Sequence, residues 1–270
     1  MPLTQEQQEA VRMGTPIEWN GLTLFPILMK DYNRFIIAQM GLTAQQQTLP
    51  SKYVVMRYLE ALYALDYDVR TNGGPQGGFF SRILLFLMLS LRLEVRKGLD
   101  GEEYIPIGIR TEKDNPRKLT ALEVTQGEVS VEITPQNFVQ LREILAAQNE
   151  VELPDETLNA ELVQAERDLA AKSSLNLVPD SEALIYSVSV KTQIPVEDIF
   201  QWTVRRFVLT ERAIDRITGH LVAALSEAAG AKYKNGNPWP SWKYDRDKHS
   251  SALVSLAELT QRLSGSVEAR

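Results

Sequence analysis

The chain contains no cysteine. Disulfides, thiol nucleophiles, thiolate zinc sites and iron–sulfur clusters are therefore excluded, and the composition suits a reducing cytosol. Histidine is scarce as well, with only His220 and His249. His220 has no histidine or carboxylate four residues away, where a helical metal site would place one. Long apolar runs are missing too. The most hydrophobic segment, Phe79–Leu91, is broken by Arg82 and closed by Arg92, well short of the roughly 20 uninterrupted apolar residues of a membrane span. It predicts a buried core helix and no membrane association. The opening MPLTQEQQEAVRMG lacks the basic start and apolar stretch of a secretory signal. Basic charge is in deficit: 29 Lys and Arg face 35 Asp and Glu, and the net charge of −6 argues against a nucleic-acid coat while leaving room for a local basic patch.

What is present is an ordinary globular composition, 44% hydrophobic over 270 residues, which is long for one compact domain and comfortable for two. The patterning predicts a mainly α fold with a small antiparallel β insertion (α+β). A helical domain covers 1–150, an acidic linker or solvated helix 151–182, and a second helical domain 183–270.

Asn20-Gly21 lies between Ile17-Glu18-Trp19 and Leu22-Thr23-Leu24-Phe25 and signals a tight hairpin, because the dipeptide tolerates positive φ. Pro26 then introduces a helix over Ile27–Met40, with Gly41 as its stop. A further helix follows Ser51, with Val54, Val55, Tyr58, Leu59, Leu62 and Leu65 on one face. Asn72–Gly78 holds four glycines and a proline, so it reads as a flexible joint. It has no Gly-Lys-Ser/Thr ending and cannot cradle phosphate.

Between Leu91 and Thr134 the period changes to alternation. Leu93–Arg96, Tyr104–Arg110, Leu119–Thr125 and Glu128–Thr134 read as strands, separated by turns at Lys97–Glu102, Thr111–Arg117 and Gln126-Gly127. Pro106 marks an edge or irregular strand. One face of so small a sheet must pack on a helix to hide enough apolar surface. Thr134-Pro135 opens the next helix, with Phe138, Leu141, Ile144 and Leu145 as its buried stripe.

Residues 150–182 carry nine acidic side chains against Arg167 and Lys172, at no recurring ligand spacing, and read as a solvated arm rather than a metal cage. Pro179-Asp180-Ser181-Glu182 starts a helix bearing Leu184, Ile185, Val188 and Val190. After Gln193-Ile194-Pro195, one long helix is predicted over Val196–Gly230, near 196–229 in its regular part, with Glu197 and Asp198 at its positive end. Ser250–Leu263 predicts a short final amphipathic helix.

Catalytic machinery is hard to find. No nucleophile elbow, dinucleotide fingerprint or His-Glu-x-x-His motif occurs. Glu211 and Asp215 share a helical face with Arg212 and Arg216, which alternating ion pairs on a wet face explain. An enzyme is not expected, nor a cofactor or metal. The unusual segment is residues 232–246, which gathers Tyr233, Trp239, Trp242 and Tyr244 with Lys232, Lys234, Lys243 and Arg246. Three uses fit it. The tryptophans can dock on the long helix, anchor a protein partner, or stack on single-stranded nucleic acid with the lysines on phosphates.

The stretch Gly21–Tyr32, the run Val196-Glu197-Asp198-Ile199 with Thr203–Phe207 and Glu211–Asp215, and the close Lys234–Pro238 with Ser241-Trp242 resemble proteins encoded in the tail-gene clusters of phages and prophages of Gram-positive bacteria. The relatives so implied lie near the tape-measure gene and look like tail assembly chaperones. The resemblance implies a non-enzymatic morphogenesis factor of the host cytoplasm that binds the tape-measure or another tail protein, acting in several copies. A structural tail or connector subunit retained in the virion is the alternative, and a single-strand nucleic-acid binder the second. On this reading Trp202, Arg205, Arg206, Phe207 and Ile214 line a groove on the long helix. The aromatic segment with Tyr233, Trp239, Trp242 and Tyr244 closes over it.

Overall fold

A computed structural model of the chain describes residues 3–74, 78–97, 103–155, 180–233, 237 and 239–243. The fold is α+β. It divides into two units, the first Met1–Pro154 with Phe200–Arg206, the second Asp155–Ile199 with Phe207–Arg270. The first unit therefore takes back a seven-residue piece that a linear division of the sequence does not separate. The interior of the acidic arm, the centre of the glycine-rich joint, Lys234, Tyr244, Arg246, His249 and the final helix lie outside the described residues.

Helix α1, Gln5–Met13, starts with a reciprocal capping box between Thr4 and Gln7 and ends at Gly14 in the left-handed region. The expected hairpin follows: β1 (Ile17–Trp19) and β2 (Leu22–Leu24) pair Ile17 with Leu24 and Trp19 with Leu22. Asn20 and Gly21 both take positive φ, as a primed two-residue turn requires. All four apolar strand residues face the core.

The next helix, α2 (Tyr32–Leu42), begins five residues later than its periodicity predicts. Ile27 and Leu28 are not helical because they pair with a distant segment. Leu28 bridges Thr203, Met29 N–H donates to the Trp202 carbonyl at 2.9 Å, and the Ile27 carbonyl accepts from Val204 N–H at 2.8 Å. Gly41 does not stop the helix. It lies inside α2, where an added Cβ would sit 2.7 Å from Ile83 N and 2.9 Å from Phe79 O, so its role is to let a second helix approach. That second helix is α5 (Phe79–Leu91), the apolar core helix anticipated from composition.

The helix expected after Ser51 is two. A single turn, α3 (Ser51–Val54), is cut from α4 (Tyr58–Thr71) by an extended Arg57. The Gln46 amide caps the break, donating to the carbonyls of Tyr53 (3.0 Å) and Met56 (2.6 Å). Val54 and Val55 consequently point outward and do not join the buried face.

A short pair, β3 (Arg96–Lys97) with β4 (Glu103–Tyr104), precedes a three-stranded antiparallel sheet of β5 (Ile107–Glu112), β6 (Asn115–Gln126) and β7 (Val129–Ile133), with β6 central. Leu93–Val95 are not strand residues. The turn expected over Thr111–Arg117 narrows to Lys113-Asp114, with register shifts around Thr111. The strand expected over Tyr104–Arg110 is broken at Ile105-Pro106, which separates β4 from β5 and where proline has no N–H for a ladder. Leu119, Leu122, Val124 and Ile133 are buried and α4 packs on β6. Tyr63 of α4 donates its hydroxyl to the Pro116 carbonyl.

Helix α6 (Phe138–Gln148) starts after a turn in which Thr134 and Asn137 cap each other. Its predicted stripe of Phe138, Leu141, Ile144 and Leu145 is fully enclosed. Polar residues of α6 and β6 act as internal clamps. Gln126 accepts from Thr23 N–H at 2.8 Å and donates to the carbonyls of Thr23 and Leu91, so one amide joins hairpin, sheet and α5. Buried Asn149 accepts from Ile27 N–H, and Arg142 donates to the Leu42 carbonyl while lying 3.6 Å from the Tyr58 ring centre.

In the second unit, Asp180 caps α7 (Ser181–Thr192) by accepting from Glu182 and Ala183 N–H. The single long helix predicted over 196–230 is interrupted. α8 (Val196–Ile199) and α9 (Val204–Ala228) are separated by Phe200–Thr203, whose backbone is committed to pairing with Leu28–Lys30 in the first unit. Thr203 then restarts the helix by accepting from Arg206 N–H at 3.1 Å. Gly230, at positive φ, terminates it as foreseen.

Candidate functional site

The predicted groove residues divide into core and surface. Trp202 and Phe207 are buried, at 7% and 1% exposure, so they cannot line a free groove; they belong to the interior. Arg205 forms an ion pair with Glu150 and reaches the Ala147 carbonyl, which ties the start of α9 to the end of α6. Arg206 is exposed and stacks 4.1 Å over the Trp202 ring. Ile214 is half-buried.

Exposed apolar residues of α9 lie further along. Ile217, Leu221 and Leu225 are 45%, 56% and 71% exposed. At four-residue spacing and about 100° per residue they drift slowly around one face. Val222 adjoins them at 58%. The roughly opposite face, Gly219 and His220, receives Trp239. The indole lies where a Gly219 Cβ would be, 2.6 Å from Trp239 Cε2, and His220 Nδ1 stands 2.9 Å from the Trp239 carbonyl. Asn237 holds the turn by accepting from Trp239 N–H at 2.7 Å. Internal docking is thus the use the fold makes of Trp239. Trp242 differs: it is 51% exposed, with Lys243 Nζ 5.9 Å from its ring centre. Tyr233 is half-buried and Lys232 exposed.

Burial, with Asp215 beside it, pushes the Glu211 carboxyl above its usual range against the pull of Arg212. Among the described residues no three His, Asp or Glu side chains converge as a metal cluster, and no helix is long and apolar enough to cross a membrane.

The first unit contains a feature that periodicity alone does not reveal. A cleft of about 920 Å³ opens between the end of α4, the start of α5 and strand β5, within the range of small-ligand pockets. Leu65, Val69, Phe79 and Ile109 supply apolar wall, and Asp66, Arg70 and Arg82 the charge. Asp66 is 9% exposed, and its Oδ2 accepts from Phe80 N–H (3.2 Å) and Ser81 N–H (3.4 Å), capping α5 from outside. Burial raises its pKa, while those two bonds and the charges of Arg70 and Arg82 oppose the rise. Gly78 is required beside it, because a Cβ there would lie 1.9 Å from Asp66 Oδ1. The sequence signal was Asp66 and Arg70 at i, i+4 near the end of a helix, directly before a glycine-rich turn. That spacing is common on solvated helices, which is why it does not stand out.

No family model matches the chain, and no curated protein and no solved structure matches it.

Proposed function

We propose that the chain is a non-enzymatic binding protein that holds an apolar helical segment of another polypeptide. We assign it the role of a tail assembly chaperone for the tape-measure protein in the host cytoplasm. The observation that supports this reading is the row Ile217, Leu221 and Leu225 with Val222, exposed on a 25-residue helix. The exposed Trp242 adds an aromatic anchor of the kind protein interfaces favour. The role in tail morphogenesis rests on the sequence resemblance. A tape-measure chain is long, helical and apolar-striped, and needs cover until tube subunits surround it. An amphipathic helix laid along an apolar row is the matching mode of recognition. Trp202 and Phe207 drop out of the proposed contact surface because they are core, and the surface moves toward the C-terminal half of α9.

The test is co-expression with the neighbouring tape-measure gene. The wild-type chain is expected to keep that partner soluble and to co-purify with it. Ile217→Asp/Leu221→Asp is expected to lose the partner while retaining its own helical signal, because both positions are exposed. A partner equally soluble with this variant, or without the chain, refutes the proposal. Mass spectrometry of purified virions separates a chaperone, which leaves, from a retained structural subunit.

A further inference from the structure

The cleft between α4, α5 and β5 holds two guanidinium groups, Arg70 and Arg82, that make no ion pair among the described residues. No carboxylate lies within ion-pair distance of Arg70 or Arg82 among the described residues. Three other arginines of the first unit are matched: Arg117 with Asp68 at 2.9 Å, Arg110 with Glu123 at 3.1 Å and Glu132, and Arg205 with Glu150. Arg82 is half-buried and held in place by weak contacts alone, its Cζ 5.4 Å from the Phe79 ring centre and its Nη1 donating to Met40 Sδ at 3.4 Å. A guanidinium so placed keeps most of its donors for a ligand.

The nearest carboxylate, Asp66, is occupied. Its Oδ2 is turned to the α5 backbone, so it does not neutralise either arginine by direct contact. Counting Asp66 as ionised, the cleft carries one net positive charge. Beside those charges stand Leu65, Val69, Phe79 and Ile109. Ile109 is 45% exposed although its cross-strand partner Leu122 is buried. The combination is a cationic pair at one part of an apolar, open cleft. Such a site discriminates for a single negative charge attached to an apolar body, since a polyanion would leave charge uncompensated and a neutral apolar molecule would leave the guanidinium groups unused.

We propose that this cleft binds a carboxylate carried on an aliphatic body, the anion between Arg70 and Arg82 and the body against Val69, Phe79 and Ile109. Two sources share that chemistry, a free aliphatic acid and the carboxy terminus of an apolar peptide. The proposal stands apart from the partner surface on α9 and survives or fails independently of it.

The experiment titrates the full chain with decanoate, and in parallel with N-acetyl-Leu-Leu bearing a free carboxylate, by calorimetry and by amide chemical shifts. Decanol, decylamine and the amidated dipeptide are the controls. Saturable binding of at least one carboxylate is expected, with shifts at Val69 and Ile109 and the uncharged or cationic controls weaker by about tenfold or more. Whichever carboxylate binds identifies the source. Arg70→Gln, at an exposed position, is expected to weaken binding about tenfold with an unchanged circular dichroism spectrum, and Ile109→Trp to block the cleft. Decanol binding as tightly as decanoate overturns the proposal. So does full affinity in the Arg70→Gln and Arg82→Gln variants, or the absence of saturable binding by both carboxylates.

Discussion

Gly219 offers a substitution whose sign is decided by the aromatic segment. In an isolated helix, replacing an interior glycine by alanine stabilises by about 0.8–1 kcal/mol. Here the new methyl would lie 2.6 Å from Trp239 Cε2, 2.8 Å from Nε1 and 2.9 Å from Cδ2, closer than carbon atoms pack. The indole has to move, and its backbone is fixed at two points, through Asn237 and His220. Forcing a methyl into occupied space costs about 1–3 kcal/mol, so Gly219→Ala is expected to be net destabilising by about 1 kcal/mol. The optical readout is independent. In a Trp242→Phe background the remaining tryptophans are Trp19, Trp202 and Trp239, and the first two are buried. Gly219→Ala should then shift emission to the red and increase acrylamide quenching, with Trp239→Phe abolishing the change. A variant that is more stable than the parent, with emission unaltered, would show that Trp239 is not docked on α9.

Gly41→Ala tests the contact between α2 and α5. The obstructing atoms are backbone (Ile83 N, Phe79 O and Arg82 C) and cannot rotate away, so a loss of about 2 kcal/mol is expected in urea unfolding; an unchanged midpoint refutes it. Asp68 predicts a pH effect. Its partial burial alone would raise the pKa, but the hydrogen bonds from Lys52 and Tyr53 and the charge of Arg117 prevail and hold it below 3.8. A depressed carboxyl contributes stability above its unfolded pKa and loses it as pH falls through the folded value. Asp68→Asn should therefore cost about 1 kcal/mol at pH 7, a difference that shrinks as pH falls through the depressed pKa of the folded carboxyl. A pH-independent difference in thermal unfolding would contradict this.

Local signals carried the local structure. Asn20-Gly21, the apolar block Phe79–Leu91, the stripe of α6 and the stop at Gly230 are decided within a few residues of themselves, and they appear where the pattern places them. The departures come from contacts between positions far apart in sequence. Ile27 and Leu28 have helical spacing but are drawn into pairing with Thr203, about 175 residues away, and the same pairing breaks the helix expected over 196–230. Gly41 has the look of a stop because a glycine's two uses, ending a helix and admitting a neighbour, are identical in sequence. Thr4 with Gln7 is a capping box whose spacing is local and therefore legible in the sequence. For the candidate surface, an apolar period marks a face without saying whether the chain or a partner covers it. Trp202 and Phe207 prove internal, whereas Ile217, Leu221 and Leu225 on the same run do not. The arginine cleft depends on three elements converging, which no single segment announces.

The return of Phe200–Arg206 to the first unit governs how this protein can be dissected. A fragment ending at Pro154 would strand the N–H groups of Met29 and Lys30 and the Ile27 carbonyl, and would leave Glu150 without Arg205. Cutting between the units therefore yields an incomplete half rather than a module, and a truncated version would need residues 200–206 restored, grafted after a short linker or supplied as a complementing peptide.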